Sequence, residues 1–344
     1  MADFVFVRVH VAPCVNRCWH CFCEGSPQGG YMKKEDCYSV IDQLAELKSE
    51  LETIVFPMFY DEPTFHPAFK QIMKYQLKKE LIFDDWWFST NGYGLSRMSD
   101  EGWMELAEAG FDYIRLTFHG VGDAHDKLVG RKGAYEDLVS TIQKAEEHNI
   151  NWLAGMMLNS RNQSMYEETR DTVTGLGTPC TDFGWMLPQS QGRVLHGNSR
   201  VKVHRISRLL SGKSGWVTEA EFTERVLSNP DLGQKQARDN NCGIIYFDVD
   251  EELNVFYGGG CDGDPFNSIK SKVYLGNLRK TDIRSCYEKY LNHPPEPVKL
   301  LDKVTWAELA ERYGSSDNEH VFHYTDIVGL IWSEKYLREF YSRK

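Results

Sequence analysis

Short apolar runs alternate with amphipathic stretches along the first half of this chain. FVFVRVHV (4–11), TIVFPMF (53–59), DDWWFS (84–89), DYIRLTFH (112–119), INWLAGMM (150–157) and DFGWMLP (182–188) read as strands. Between the first two, residues 33–51 place Cys37, Val40, Ile41, Leu44 and Leu47 on one helical face, with Lys and Glu opposite. Further helical patterns cover 67–79, 100–109, 134–149 and 164–175, and Gly110 is a helix stop. Consecutive βα units return the chain in one direction and so build a parallel sheet. A doubly wound open sheet would need a phosphate loop such as G-x-G-x-x-G after a strand, and none occurs there. A partial or full barrel instead puts its chemistry on loops at the C-terminal ends of its strands. The motifs below fall on those loops.

Composition narrows the function classes. The formal net charge of -11 argues against a nucleic-acid binder, because phosphate backbones reward clustered Lys and Arg. No run approaches the ~20 apolar residues of a membrane span. The opening MADFVFVRVHVAP is too short and too charged for an export signal. A soluble, cytoplasmic protein is expected. In that setting the 9 cysteines read as thiols or metal ligands rather than disulfides.

Directly after the first strand stands Cys14-Val-Asn-Arg-Cys18-Trp-His-Cys21. Three thiolates on one loop at this spacing can wrap a cubane cluster and ligate three of its four irons. The open iron can take the amino and carboxylate groups of S-adenosylmethionine. Electron transfer into the sulfonium would then release a 5′-deoxyadenosyl radical that takes hydrogen from an unactivated C–H bond. Two plainer alternatives stand beside this one. A zinc site could recruit Cys23 or His20 as a fourth ligand, and buried cysteines can be small apolar core residues.

With this C-x-x-x-C-x-x-C motif the chain resembles the radical S-adenosylmethionine (radical SAM) superfamily. The resemblance implies an α/β fold, a partial (β/α)6 TIM-like barrel, with a [4Fe–4S] cluster on Cys14, Cys18 and Cys21. One departure is His20, where Phe or Tyr is common. Tyr60-Asp61-Glu62-Pro63 looks like the family's Gly-Gly-Glu-Pro segment with both glycines replaced. It implies that Glu62 and nearby backbone hold the methionine ammonium. Thr90 and Asn91, within Ser89-Thr90-Asn91-Gly92, are similar to the family's third-strand Thr-Asn-Gly near the cofactor. Thr117, within Thr117-Phe118-His119-Gly120, would reach the ribose, and Arg131 would pair with a carboxylate. Asn159 ends the fifth strand, and Met186 ends the sixth near the expected adenine. An electron donor such as flavodoxin or ferredoxin is implied as partner.

The C-terminal third resembles the auxiliary-cluster extension called SPASM, or its shortened twitch form. Cys242-Gly, a strand–turn–strand over 244–259 with Asp250-Glu251 near the turn, Cys261, Leu275-Gly276-Asn277 and Cys286 recur in that order. Cys242, Cys261 and Cys286 would ligate a second [4Fe–4S] cluster. Alternatively, Cys261 or Cys286 would donate hydrogen to a substrate radical. The expected divisions are a barrel over 1–198, a helical linker over 199–240, a small α+β extension over 241–293 and a helical end over 294–344. The linker opens with a basic stretch over 200–208, and Cys180 precedes a strand, so it lies at the barrel's far end. The first strand begins almost at residue 4, which favours a small polar metabolite of sugar, aminocyclitol or nucleoside type. Dehydrogenation, dehydration or epimerisation in natural-product biosynthesis would follow. Peptide modification is the alternative, and a non-catalytic zinc protein the remote one.

Overall fold

The computed structural model describes residues 4–21, 27–51, 54–81, 88–186, 216–236, 244–258, 270–313 and 321–323. The barrel half runs β1 (Phe4–Ala12), α1 (Lys34–Leu51), β2 (Ile54–Asp61), α2 (Phe69–Lys78), β3 (Phe88–Thr90), α3 (Tyr93–Ser96) and α4 (Asp100–Glu108). It continues through β4 (Tyr113–Phe118), α5 (Asp123–Val129), α6 (Ala134–Glu147), β5 (Asn151–Met157), α7 (Tyr166–Thr174) and β6 (Gly184–Met186). After it come β7 (Trp216–Thr218), α8 (Glu219–Ser228), α9 (Pro230–Gly233), β8 (Ile244–Val249), β9 (Asn254–Tyr257) and β10 (Tyr274–Asn277). The remaining elements are α10 (Ile283–Asn292), α11 (Glu296–Leu301), α12 (Trp306–Tyr313) and β11 (Val321–His323).

Two sheets carry the parallel strands of a partial TIM-like barrel. One has the order β10-β9-β8-β1-β2 and the other β3-β4-β5-β6. The pairings β1–β2, β3–β4, β4–β5 and β5–β6 are all parallel. Strand alternation divides the residues of β1. Val5, Val7, Val9 and Val11 are almost wholly buried in the core, and Phe6, Arg8 and His10 point to the opposite, inner face. On α1, Cys37, Val40, Ile41, Leu44 and Leu47 are the buried face, as the periodicity predicts. Gly110 has φ 89°, the left-handed conformation of a helix stop.

The strand–turn–strand after residue 243 forms as expected, but its placement was not foreseen. Its first strand, β8, lies parallel to β1 in register Phe4↔Ile244 through Val9↔Val249. The hairpin with β9 is antiparallel. The extension is thus welded to the barrel's first strand. A buried ion pair locks the join: both Arg8 Nε and Nη2 donate to the Asp248 carboxylate, and Nη2 also donates to the Gly258 carbonyl. Among the described residues, no helix is long and apolar enough to cross a membrane.

Candidate active site

The loop after β1 is held against the end of α5. Arg17 N–H donates to the Val129 carbonyl (2.8 Å) and Trp19 N–H to the Leu128 carbonyl (3.0 Å). Gly130, at φ 67°, ends α5, and a Cβ there would lie 3.1 Å from the Arg17 carbonyl. Glycine therefore serves both the left-handed turn and the close approach of the loop. Arg131 ties the same loop to α6, donating from Nε to Asn16 Oδ1 and from Nη1 to Asp137 Oδ2 (2.6 Å each).

The loops after β2 and β3 are joined through one carboxylate. Glu62 is wholly buried. It accepts from the Thr64 N–H (3.3 Å), the Thr64 hydroxyl, the Thr90 hydroxyl (2.7 Å) and the Asn91 N–H (2.6 Å). Burial raises its pKa, and these donors pull it back down. Asn91 in turn points its amide Nδ2 at Cys14 Sγ, 3.5 Å away.

These loops enclose a cavity of about 200 Å³ whose wall includes Cys14, Cys18, Cys21, Asp61, Thr90 and Thr117. Glu62, Asn91, His20, His119 and Met157 also reach it. Asp61 sits at φ 64°, a conformation that suits the glycine of the family motif, and Asp is among the few side chains that tolerate it. One of its oxygens, Oδ2, meets His10 Nδ1 at 2.9 Å. The other, Oδ1, is buried and has no hydrogen-bond partner among the described residues. For His10, burial alone would depress the pKa. The charge and hydrogen bond of Asp61, aided by Asp248, outweigh this and raise it from 6.5 to about 9. The pair is an imidazolium facing a carboxylate.

A second group of imidazoles behaves oppositely. The rings of His20 and His119 lie 4.8 Å apart and those of His119 and His125 5.4 Å apart. Burial pushes His20 and His125 down to about 4 and His119 well below its usual value. The Nδ1 atoms of His20 and His119 are buried without a hydrogen-bond partner among the described residues. The cavity wall is therefore lined with neutral nitrogen donors or acceptors. Burial first, then the charges of Glu62 and Cys18, raise the pKa of the Cys14 thiol. Bound iron reverses that logic by stabilising the thiolate. Three thiols on one cavity wall, with an amide aimed at one sulfur, are a donor set that fits an iron–sulfur cluster.

Of the residues singled out in the sequence, Cys14, Cys18, Cys21, Glu62, Thr90, Asn91 and Thr117 come together at this cavity. Arg131, Asn159 and Met186 do not reach its wall. Arg131 is committed to Asn16 and Asp137. Asn159 is buried in its own turn, where its Oδ1 accepts from the Arg161 N–H. Met186 lies along β6, where its sulfur meets Arg115 Nη2. Cys286 is also elsewhere. It belongs to the buried face of α10, its Sγ would lie 2.8 Å from a Cβ on Gly276, and burial lifts its pKa to about 11. An amphipathic helix buries this thiol as a small apolar group. Cys180, with its N–H on the Trp152 carbonyl near the start of β5, is at the barrel's far end, as its place before a strand implies. Cys23, Cys242, Cys261 and the basic stretch 200–208 lie outside the described residues. Sequence patterns missed Asp61 Oδ1 and the His20–His119–His125 row. The signals were an acid in a glycine position and two histidines six residues apart around Gly120.

The radical SAM superfamily model matches residues 9–173, a span that contains all of these cavity residues. Residues 9–173 are thus a match to the radical SAM domain. That family consists of enzymes whose cofactors are a [4Fe–4S] cluster and S-adenosylmethionine. The sporulation killing factor maturation protein SkfB of Bacillus subtilis (strain 168) is 29% identical over 98 residues. That match covers 28% of this chain and only 23% of SkfB. Among solved structures, native anSMEcpe with bound AdoMet superposes with a TM-score of 0.55 and 14% identity over 96% of both chains. SuiB of Streptococcus suis bound to S-adenosylmethionine gives 0.57 and 11% over 85% of this chain and 67% of SuiB. At these identities the structural likeness is one of fold.

Proposed function

We propose that Cys14, Cys18 and Cys21 hold the cluster and that the cavity beside them seats S-adenosylmethionine. The convergence of three loops on one cavity carries this assignment. When bound, the two cofactors supply reductive cleavage to a 5′-deoxyadenosyl radical that abstracts hydrogen from the substrate. The chain's own residues set the stage. Asp61 lines the cavity, its Oδ1 has no hydrogen-bond partner among the described residues, and this carboxylate would take the methionine ammonium as a charge-assisted acceptor. His10, protonated, fixes that carboxylate through Oδ2. Glu62, already accepting four bonds from Thr64, Thr90 and Asn91, holds the second and third loops in place instead of meeting the ammonium. Thr90, Asn91 and Thr117, which line the same cavity, would hold the ribose.

The substrate on this proposal is a small polar metabolite of sugar, aminocyclitol or nucleoside type, held in the polar interior of the barrel. The charged inner-face residues Arg8, His10 and Asp61 support a polar guest. A second reading, peptide maturation, is favoured by the stretch similar to SkfB. The enzyme acts in the cytoplasm with a flavodoxin or ferredoxin as electron donor. Cys18→Ala should abolish 5′-deoxyadenosine formation while circular dichroism stays unchanged, and cleavage at the wild-type rate would sink the assignment. Deuterium carried into 5′-deoxyadenosine from a perdeuterated metabolite extract, compared with a perdeuterated peptide digest, separates the two substrate classes.

A further inference from the structure

Charges on the inner face of β1 are matched: Arg8 meets Asp248, and His10 meets Asp61. Among the described residues, Arg115 on β4 has no such match. Strand alternation puts it on the same face as Thr117, which lines the cofactor cavity. Its Nη2 meets only the thioether of Met186, a weak acceptor, and its Nε is buried with no partner among the described residues. Burial lowers its pKa, and among the described residues no neighbouring carboxylate offsets this. A guanidinium stays charged and offers five donors in a planar fork, so a half-used one inside a barrel is a costly arrangement without an anion.

There is also room for one. Because Arg115 and Met186 meet, they share a face, and Gly184 two residues earlier on β6 shares it too. Among the described residues, a Cβ at Gly184 would meet nothing within 4 Å, and its φ lies outside the left-handed range that would demand glycine. Its partner in register on β5, Gly155, likewise carries no side chain there, and Thr117 follows across β4.

We propose that Arg115, with the open floor at Gly184, is the substrate's anion subsite and takes a carboxylate or phosphate group beside the cofactor cavity. This rests on the assignment of that cavity to S-adenosylmethionine and narrows the substrate to an oxyanion-bearing one. The fork geometry suits two oxygens of one group.

The test is calorimetric titration of reconstituted, oxidised holoenzyme saturated with S-adenosylmethionine. The probes are glutarate, inorganic phosphate and the neutral isostere glutaramide. Wild type should bind glutarate or phosphate saturably and ignore glutaramide. Whichever anion binds tells a carboxylated from a phosphorylated substrate. Arg115→Met should weaken binding by about tenfold or more, the loss of one charge-assisted contact. Arg115→Lys should fall between, and Gly184→Val, which fills the floor, should weaken it as well. Unchanged anion binding in both Arg115 variants, or none by wild type, overturns the proposal. Reductive cleavage of S-adenosylmethionine by the wild-type holoenzyme, measured alongside, tests the underlying assignment separately.

Discussion

On the proposed assignment, Asp61 and His10 let a departure from a motif keep its chemistry. Asp61 holds the left-handed backbone of a glycine position yet adds a carboxylate to the cavity. Asp61→Asn, which suits the same backbone, should reduce S-adenosylmethionine affinity by roughly tenfold, the scale of a charge-assisted hydrogen bond. Equilibrium binding to the oxidised holoenzyme measures it. The same pair sets a pH dependence. His10 titrates at about 9 in the folded protein against 6.5 unfolded, so its contribution is complete below pH 6.5 and lost between 6.5 and 9. Denaturant midpoints of wild type should fall across that window, and those of Asp61→Asn should fall less. His125 works in the other direction. Its pKa is depressed to about 4, so its burial as a neutral ring favours folding above 6.5 and is lost as pH drops toward 4. His125→Gln should flatten the acid side of the same profile.

At the scale of elements, helices α1 and α10 bury cysteines for the reason they bury leucines. Leu44 on α1 is fully buried, and Leu44→Ala should cost about 2–5 kcal/mol in chemical denaturation without altering iron content. Cys286 on α10 sits with Ile283, Tyr287 and Tyr290 on one buried face. Cys286→Ala should therefore leave iron and sulfide per chain unchanged after anaerobic reconstitution. The Cys14/Cys18/Cys21 triple Ala variant should lose about four irons. If Cys286→Ala also loses about four, a second cluster is anchored on α10 and the helix-core account fails.

For the whole molecule, the Arg8–Asp248 pair decides whether the C-terminal hairpin is part of the barrel. These residues are 240 apart in sequence and bridge β1 to β8. Removing one partner strands a buried charge, so Asp248→Asn should destabilise by about 3–5 kcal/mol. Arg8→Met combined with Asp248→Leu should recover much of that loss, because both charges leave together. Thermal unfolding of the three proteins checks it. Separate loss of the hairpin, ahead of the barrel, would show that the weld contributes little.

Local sequence determined the elements, because period-2 and period-3.6 patterns are properties of a single segment. The α1 face from Cys37 to Leu47 and the run from Val5 to Val11 were legible in this way. So was the cysteine loop, whose ligand spacing lies within eight residues. Tertiary structure decided which loops converge. It left Glu62 saturated by Thr64, Thr90 and Asn91 and Asp61 Oδ1 without a partner among the described residues, a difference that no spacing rule distinguishes in adjacent acids. It also took Arg131, Asn159 and Met186 away from the wall, left Arg115 without a carboxylate among the described residues, and laid β8 against β1. Each of these depends on which distant groups meet, and pairings across hundreds of residues are set by the packing of the whole barrel rather than by any one segment.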